Sequence, residues 1–108
     1  MSVYIVASIA VEDWEEYAKY QAGFLDVFAR YNGELLAVSD EPRVIEGEWP
    51  FTRAVVLRFP SEEDARLWYE SPEYQAIAQH RWRASKGTVI GFEALPEPIV
   101  GSGQKRGT

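Results

Sequence analysis

One helical stretch near the C-terminal end of this chain places a charge where an apolar side chain belongs. Projected at about 100° per residue, Tyr74, Ile77, Ala78 and Ser85 form an inward stripe, and Arg81 falls at its centre. A guanidinium there snorkels to the helix edge, pairs with a buried carboxylate, or lines a polar pocket. Glu46 is the favoured carboxylate, because the Glu46-Gly47 turn precedes a Trp49-Pro50 segment that must fold back over the helix. In the pocket reading, Arg81 would hold a carboxylate or enolate oxygen. An earlier helical stretch shows the same interruption. Trp14, Tyr17, Phe24, Leu25, Phe28 and Tyr31 share its stripe, with Gln21 in the middle. Tyr17 and the sole imidazole, His80, are the groups that would move a proton. His80 flanks its helix beside Ile77 and Ala84, where an edge histidine with no catalytic duty is favoured over a catalytic base. No nucleophile neighbours it in sequence, and no triad arrangement is visible.

Composition removes many other chemistries. The 108 residues contain no cysteine and one histidine, which excludes disulfides, thiolate chemistry and a multi-histidine metal centre. Eleven basic residues stand against seventeen acidic ones, giving a net charge of −6 that argues against a nucleic-acid partner. Gly47, Gly87 and Gly91 are isolated and form no phosphate loop, so ATP and dinucleotides are not expected. The runs Glu62-Glu63-Asp64 and Glu15-Glu16 open helices, where acids favour the helix dipole, so they need no catalytic reading. No apolar run approaches the about 18 residues of a membrane span, and the N-terminus has no signal-peptide pattern. A soluble, acidic, cytoplasmic domain is the expectation. Aromatics make up 14% of the chain, many for so small a core, so some rings should line a cavity or an interface.

The elements that must position these residues are readable. Residues 3–10 are an apolar run of strand length, followed by Asp13 as a helix cap with Glu16 three residues on. The helix over 14–31 should stop at Asn32-Gly33, a pair suited to a left-handed cap. A strand over 34–38 breaks at 39–42, and 43–46 resumes an extended segment. Trp49-Pro50-Phe51 reads as a stiff turn before a strand over 53–59. Ser61 with Asp64 caps a second helix, and Ser71-Pro72 restarts it, giving 62–70 and 72–85. Gly87 should end that helix before a strand over 88–95. One domain over 1–95 and a mobile tail over 96–108 follow.

The order β-α-β-β-α-β predicts an α+β, ferredoxin-like plan, with an antiparallel four-stranded sheet and both helices on one face. The other sheet face would carry Tyr4, Val6 and Val56 uncovered, which monomers rarely tolerate. A homodimer packing sheet against sheet is therefore predicted.

Several motifs together resemble a known family. Glu46-Gly47-x-Trp49-Pro50, Arg53, Phe59-Pro60-Ser61 and Trp68-Tyr69-x-Ser71-Pro72-Glu73-Tyr74 are similar to domain of unknown function family 1330, within the dimeric α/β-barrel superfamily. The resemblance covers residues 2–95. It implies ferredoxin-like dimers whose sheets face each other, with a pocket between sheet and helices. Superfamily relatives include cofactor-free monooxygenases, muconolactone isomerases and haem-binding peroxidases, but their catalytic residues do not map onto this chain. What carries over is similarity at Glu46, Trp49, Arg53, Tyr74 and Arg81, with Trp82 bulkier than the pattern leads one to expect. Haem would leave His80 as sole axial ligand without a supporting motif, so no cofactor is expected.

Three functions stay open on this reading. The chain is a cofactor-free enzyme for a small acidic or aromatic molecule, a non-catalytic ligand binder, or a structural dimer module. His80 and Tyr17 are the catalytic candidates. Arg81, Gln21, Glu46, Trp49, Arg53 and Tyr74 are the ligand-binding candidates, and no metal ligand is expected.

Overall fold

A computed structural model describes residues 1–103. The elements run β1 (Val3–Val11), α1 (Trp14–Ala29), β2 (Glu34–Ser39), β3 (Arg53–Phe59), α2 (Glu62–Glu70), α3 (Pro72–Ala84) and β4 (Ser85–Glu93). The strands form one four-stranded sheet in the order β2-β3-β1-β4, with every neighbouring pair antiparallel. This is the ferredoxin-like arrangement, with the helices on one face. No helix among the described residues is long and apolar enough to cross a membrane.

Alternation along the strands decides which residues meet the helices. Val3 and Ile9 are buried, and Ile5 and Ala7 pack against the same core. The register sets Val55, Leu57 and Phe59 of β3 on this side, opposite Ala7, Ile5 and Val3. Phe59 is fully buried, 5.5 Å from Phe28 and 5.2 Å from Trp68 between ring centroids. Burying a ring of this size stabilises by roughly 1.5–3 kcal/mol. The opposite face carries Tyr4, Val6, Ala54 and Val56, and no helix covers it.

Local chemistry explains the element ends. The Asp13 carboxylate accepts from the Glu16 backbone N–H at 3.1 Å, and Ser61 accepts from that of Asp64 at 3.0 Å. Ser71 serves two helices at once. Its hydroxyl donates to the Trp68 carbonyl at 2.9 Å and accepts from the Tyr74 N–H at 3.0 Å, while Pro72 begins α3. Ser71 is buried, so truncation strands the Tyr74 N–H at the joint between α2 and α3, while the Trp68 carbonyl keeps the Ser71 backbone N–H at 3.2 Å. Ser71→Ala is expected to cost about 1–2 kcal/mol, checked by urea unfolding.

Several boundaries differ from the sequence expectation. The helix α1 ends at Ala29, short of the expected Tyr31, while Asn32 of the Asn32-Gly33 pair takes the left-handed backbone at φ 64°. Gly33 is required for space, because a Cβ there would stand 2.2 Å from the Phe28 ring. Gly87 does not end α3. It lies inside β4 opposite Ile9, where a Cβ would meet the Ser8 carbonyl oxygen, and β4 already starts at Ser85. Residues 43–46 form no strand; the 40–52 loop is held at its base instead. There the Thr52 hydroxyl donates to the Ile9 carbonyl and accepts from the Val11 N–H. Residues 96–103 carry no helix or strand, and the remainder of the expected tail lies outside the described residues.

Candidate functional site

A cavity of about 310 Å³ lies between the sheet and α1 and α3. Ile5, Ala7, Ile9, Val55 and Leu57 supply the sheet wall, and Phe24, Leu25 and Trp68 come from the helices. The size is typical of a small-molecule site, and its polar groups are few. They are Tyr17, Tyr20 and Gln21 of α1, Arg53 of β3, and Tyr74 and Arg81 of α3.

Arg81 is the unusual one. It is 7% exposed, and its Nη2 donates to the Tyr74 hydroxyl at 3.4 Å. Its guanidinium stands 5.5 Å from the Tyr20 ring centroid and 6.0 Å from that of Trp82. No carboxylate pairs with it among the described residues, and a buried cation without a counter-charge is costly. Burial works against its charge, but the oxygens of Tyr74 and Tyr20 outweigh it and hold the pKa above the ordinary value. The group therefore stays cationic inside the cavity.

The tyrosines form a fixed polar chain. The hydroxyls of Tyr20 and Tyr74 lie 2.9 Å apart, both on buried residues. Burial pushes the Tyr20 hydroxyl well above its usual range, with Tyr74 adding to it, and burial likewise raises Tyr17. Both remain protonated at neutral pH, as donors rather than bases.

Arg53 is already neutralised. It bonds Asp40 through Nε at 2.6 Å and Nη2 at 2.9 Å, and reaches the Gln21 side-chain oxygen at 2.5 Å. The hydrogen-bonded Asp40 carboxylate holds the Arg53 pKa up, and Arg53 in turn holds the Asp40 carboxyl below its ordinary value. The rings of Trp14 and Tyr17 stand 5.4 and 5.3 Å from its guanidinium carbon. Of the two cavity arginines, Arg81 alone lacks a carboxylate among the described residues.

The expected site residues thus divide. Arg81, Arg53, Tyr74, Gln21 and Tyr17 line one cavity. Glu46 does not meet Arg81; it lies exposed in the 40–52 loop, whose base instead closes through Asp40 and Arg53. Trp49 packs on Phe51 at 5.0 Å, away from the cavity. His80 also stays outside. Its Nδ1 lies 2.7 Å from a Glu16 carboxylate oxygen, and Arg83 reaches the same oxygen. Tyr20 was missed as an inward residue, although Tyr17, Tyr20, Phe24, Val27 and Phe28 make an ordinary helical stripe. The stripe drawn through Trp14 and Leu25 was rotated too far: Leu25 is 60% exposed at the cavity rim.

The Glu16 cluster ties α1 to α3 beside the cavity. Hydrogen bonding from His80 is the main cause that lowers the Glu16 pKa from 4.5 to about 2, against a smaller opposing effect of burial. A folded-state value below the unfolded one means the stabilisation is complete above pH 4.5 and fades as pH falls towards 2. Thermal melts of wild type and Glu16→Gln should differ at pH 6 and converge near pH 2.

The chain matches a family model, "Domain of unknown function (DUF1330)", over residues 2–95. It belongs to that family. No curated protein matches this DUF1330 member. Among solved structures, a protein of unknown function from Rhodopseudomonas palustris superposes with a TM-score of 0.75 at 16% identity, covering 89% of this chain and 84% of the other. SnoaB, a cofactor-independent oxygenase from Streptomyces nogalater, gives 0.65 at 18% identity, covering 89% and 98%. A dimeric ferredoxin-like protein of unknown function from Thermobifida fusca gives 0.65 at 14%, covering 87% and 92%. These likenesses show that the DUF1330 chain shares their fold.

Proposed function

We propose that this DUF1330 protein binds a small organic molecule, apolar over most of its surface and carrying one anionic oxygen, between its sheet and helices. The observation that carries this reading is Arg81, a buried cation lining an apolar-walled cavity without a carboxylate partner among the described residues. A ligand carboxylate, enolate or phenolate supplies the missing counter-charge, and the Tyr20–Tyr74 hydroxyl pair offers a neutral donor beside it. Aromatic and aliphatic walls receive the rest of the molecule.

Catalysis on the same molecule is a second reading, favoured by the convergence of Arg81 and Tyr74. Donors set in place before a ligand arrives stabilise an oxyanion as it forms, and Tyr17 can deliver a proton. Such chemistry runs through the substrate's own anion and asks for no bound cofactor. A protein of the same fold, SnoaB, is a cofactor-independent oxygenase.

The protein acts as a homodimer in this proposal, its open sheet faces packed together. Ile90 and Phe92 on that face are 55% and 50% exposed in the single chain, and Tyr4 packs on Phe92 at 6.1 Å. An apolar patch of that kind favours a second copy.

Titration with benzoate is the direct test. A ligand that binds only the folded state raises the melting temperature, so benzoate should raise that of wild type and leave that of Arg81→Met unmoved. Equal shifts in both proteins would overturn the reading.

A further inference from the structure

We infer that the Arg81 cavity is the first of two chambers, and that its ligand is an elongated organic monoanion whose neutral far end lies beyond Trp68, against β4. The inference rests on the proposed anion site and extends it to the shape and charge of what the site accepts.

A second hollow, of about 430 Å³, lies between α2 and β4. Ile5, Trp68 and Val89 line both hollows, so these three side chains are the partition between them. Two features make that partition passable. Gly91 sits directly opposite Ile5 in the β1–β4 ladder and lines the second hollow. A Cβ at Gly91 would stand 2.9 Å from Ile5 Cδ1, so the Ile5 tip rests over the bare glycine backbone instead of being pushed across the partition by a methyl group. The other feature is Trp68 itself. It is 3% exposed, and its indole N–H is buried with no acceptor among the described residues. A buried donor left unmade costs free energy, and a ligand oxygen passing the partition would satisfy it.

Charge selects the ligand end that belongs in each chamber. Arg81 holds the anionic end. The outer rim of the second hollow carries Glu62, Glu93 and Arg66, and Arg66 is already bonded to Glu63 at 2.8 Å and Glu70 at 3.1 Å. A second anionic group is repelled there, whereas a neutral ring or acyl chain meets Val3 and Ala65. Such a charged rim also suits water better than the apolar centre of a subunit interface.

Calorimetric titration with benzoate and biphenyl-4-carboxylate tests this. Wild type should bind the two-ring acid at least about tenfold more tightly, since the second ring buries further apolar area. Gly91→Ala displaces the Ile5 tip that rests over it, so it should remove that gain while benzoate still binds. Equal affinities in wild type, or a gain that survives Gly91→Ala, would overturn the two-chamber inference and leave the anion site standing. Failure of both acids to bind wild type would overturn the anion site itself.

Discussion

Arg81→Met is expected to make the ligand-free protein more stable while abolishing its response to organic anions. Taking a guanidinium out of water costs several kcal/mol unless a counter-charge and good hydrogen bonds repay it. Arg81 has one hydrogen bond of 3.4 Å and two ring contacts at 5.5 and 6.0 Å. Contacts of those kinds return roughly 1–3 kcal/mol together. Methionine matches the stem and replaces the charge with apolar surface, and Tyr74 keeps its 2.9 Å bond to Tyr20, so no hydroxyl is orphaned. A gain of about 1–4 kcal/mol follows, or a rise of several degrees in melting temperature. The anion loses its charged partner at the same time, which should weaken benzoate binding by at least about tenfold. Stability given up at a binding site is a common trade, and it identifies the residue as retained for the ligand. A large loss of stability in Arg81→Met would show instead that the guanidinium holds the fold, and the anion site would fall with it.

Val56→Asp should convert a two-chain species into single chains. Val56 lies opposite Val6 at the middle of the uncovered sheet face. In a face-to-face dimer, an aspartate there is buried without a partner, at a cost of several kcal/mol to the assembly. On a free face the same carboxylate stays in water, and the change is worth less than about 1 kcal/mol. Sedimentation of both proteins at micromolar concentration separates these cases. A wild type with the mass of one chain, and a variant melting at the same temperature, would refute the dimer.

Some of the architecture was legible because its causes are local. Ser71-Pro72 marks a helix restart in any context, since serine accepts from an N–H two or three residues on and proline suits a first helical turn. The apolar run over residues 3–10 likewise marks a strand by its length and composition. Arg81 stood out for the same kind of reason, a charge in the wrong place on a helix projection. Helix rotation was less secure. Tyr20 and Leu25 exchange roles with a modest turn of α1, and only packing against α3 decides which faces in. Gly87 shows the same limit, since the need for its missing side chain comes from a neighbouring strand 78 positions away, at Ile9.

The amino-acid order by itself determined the succession of elements, the apolar character of both sheet faces, and the exclusion of thiol, multi-histidine and phosphate-loop chemistry. Those follow from residue type and short-range spacing. Pairing across the fold was decided only in three dimensions. Glu46 and Asp40 are both acids near the β2–β3 loop, and both were available to an arginine. The register of β2 on β3 puts Ser39 opposite Ala54, which brings Asp40 at one end of the loop to Arg53 at the other. Arg53 thereby acquires the carboxylate, and Arg81 keeps an uncompensated charge in the cavity. Which arginine is left for a ligand is set by strand register, a long-range property that no local pattern encodes.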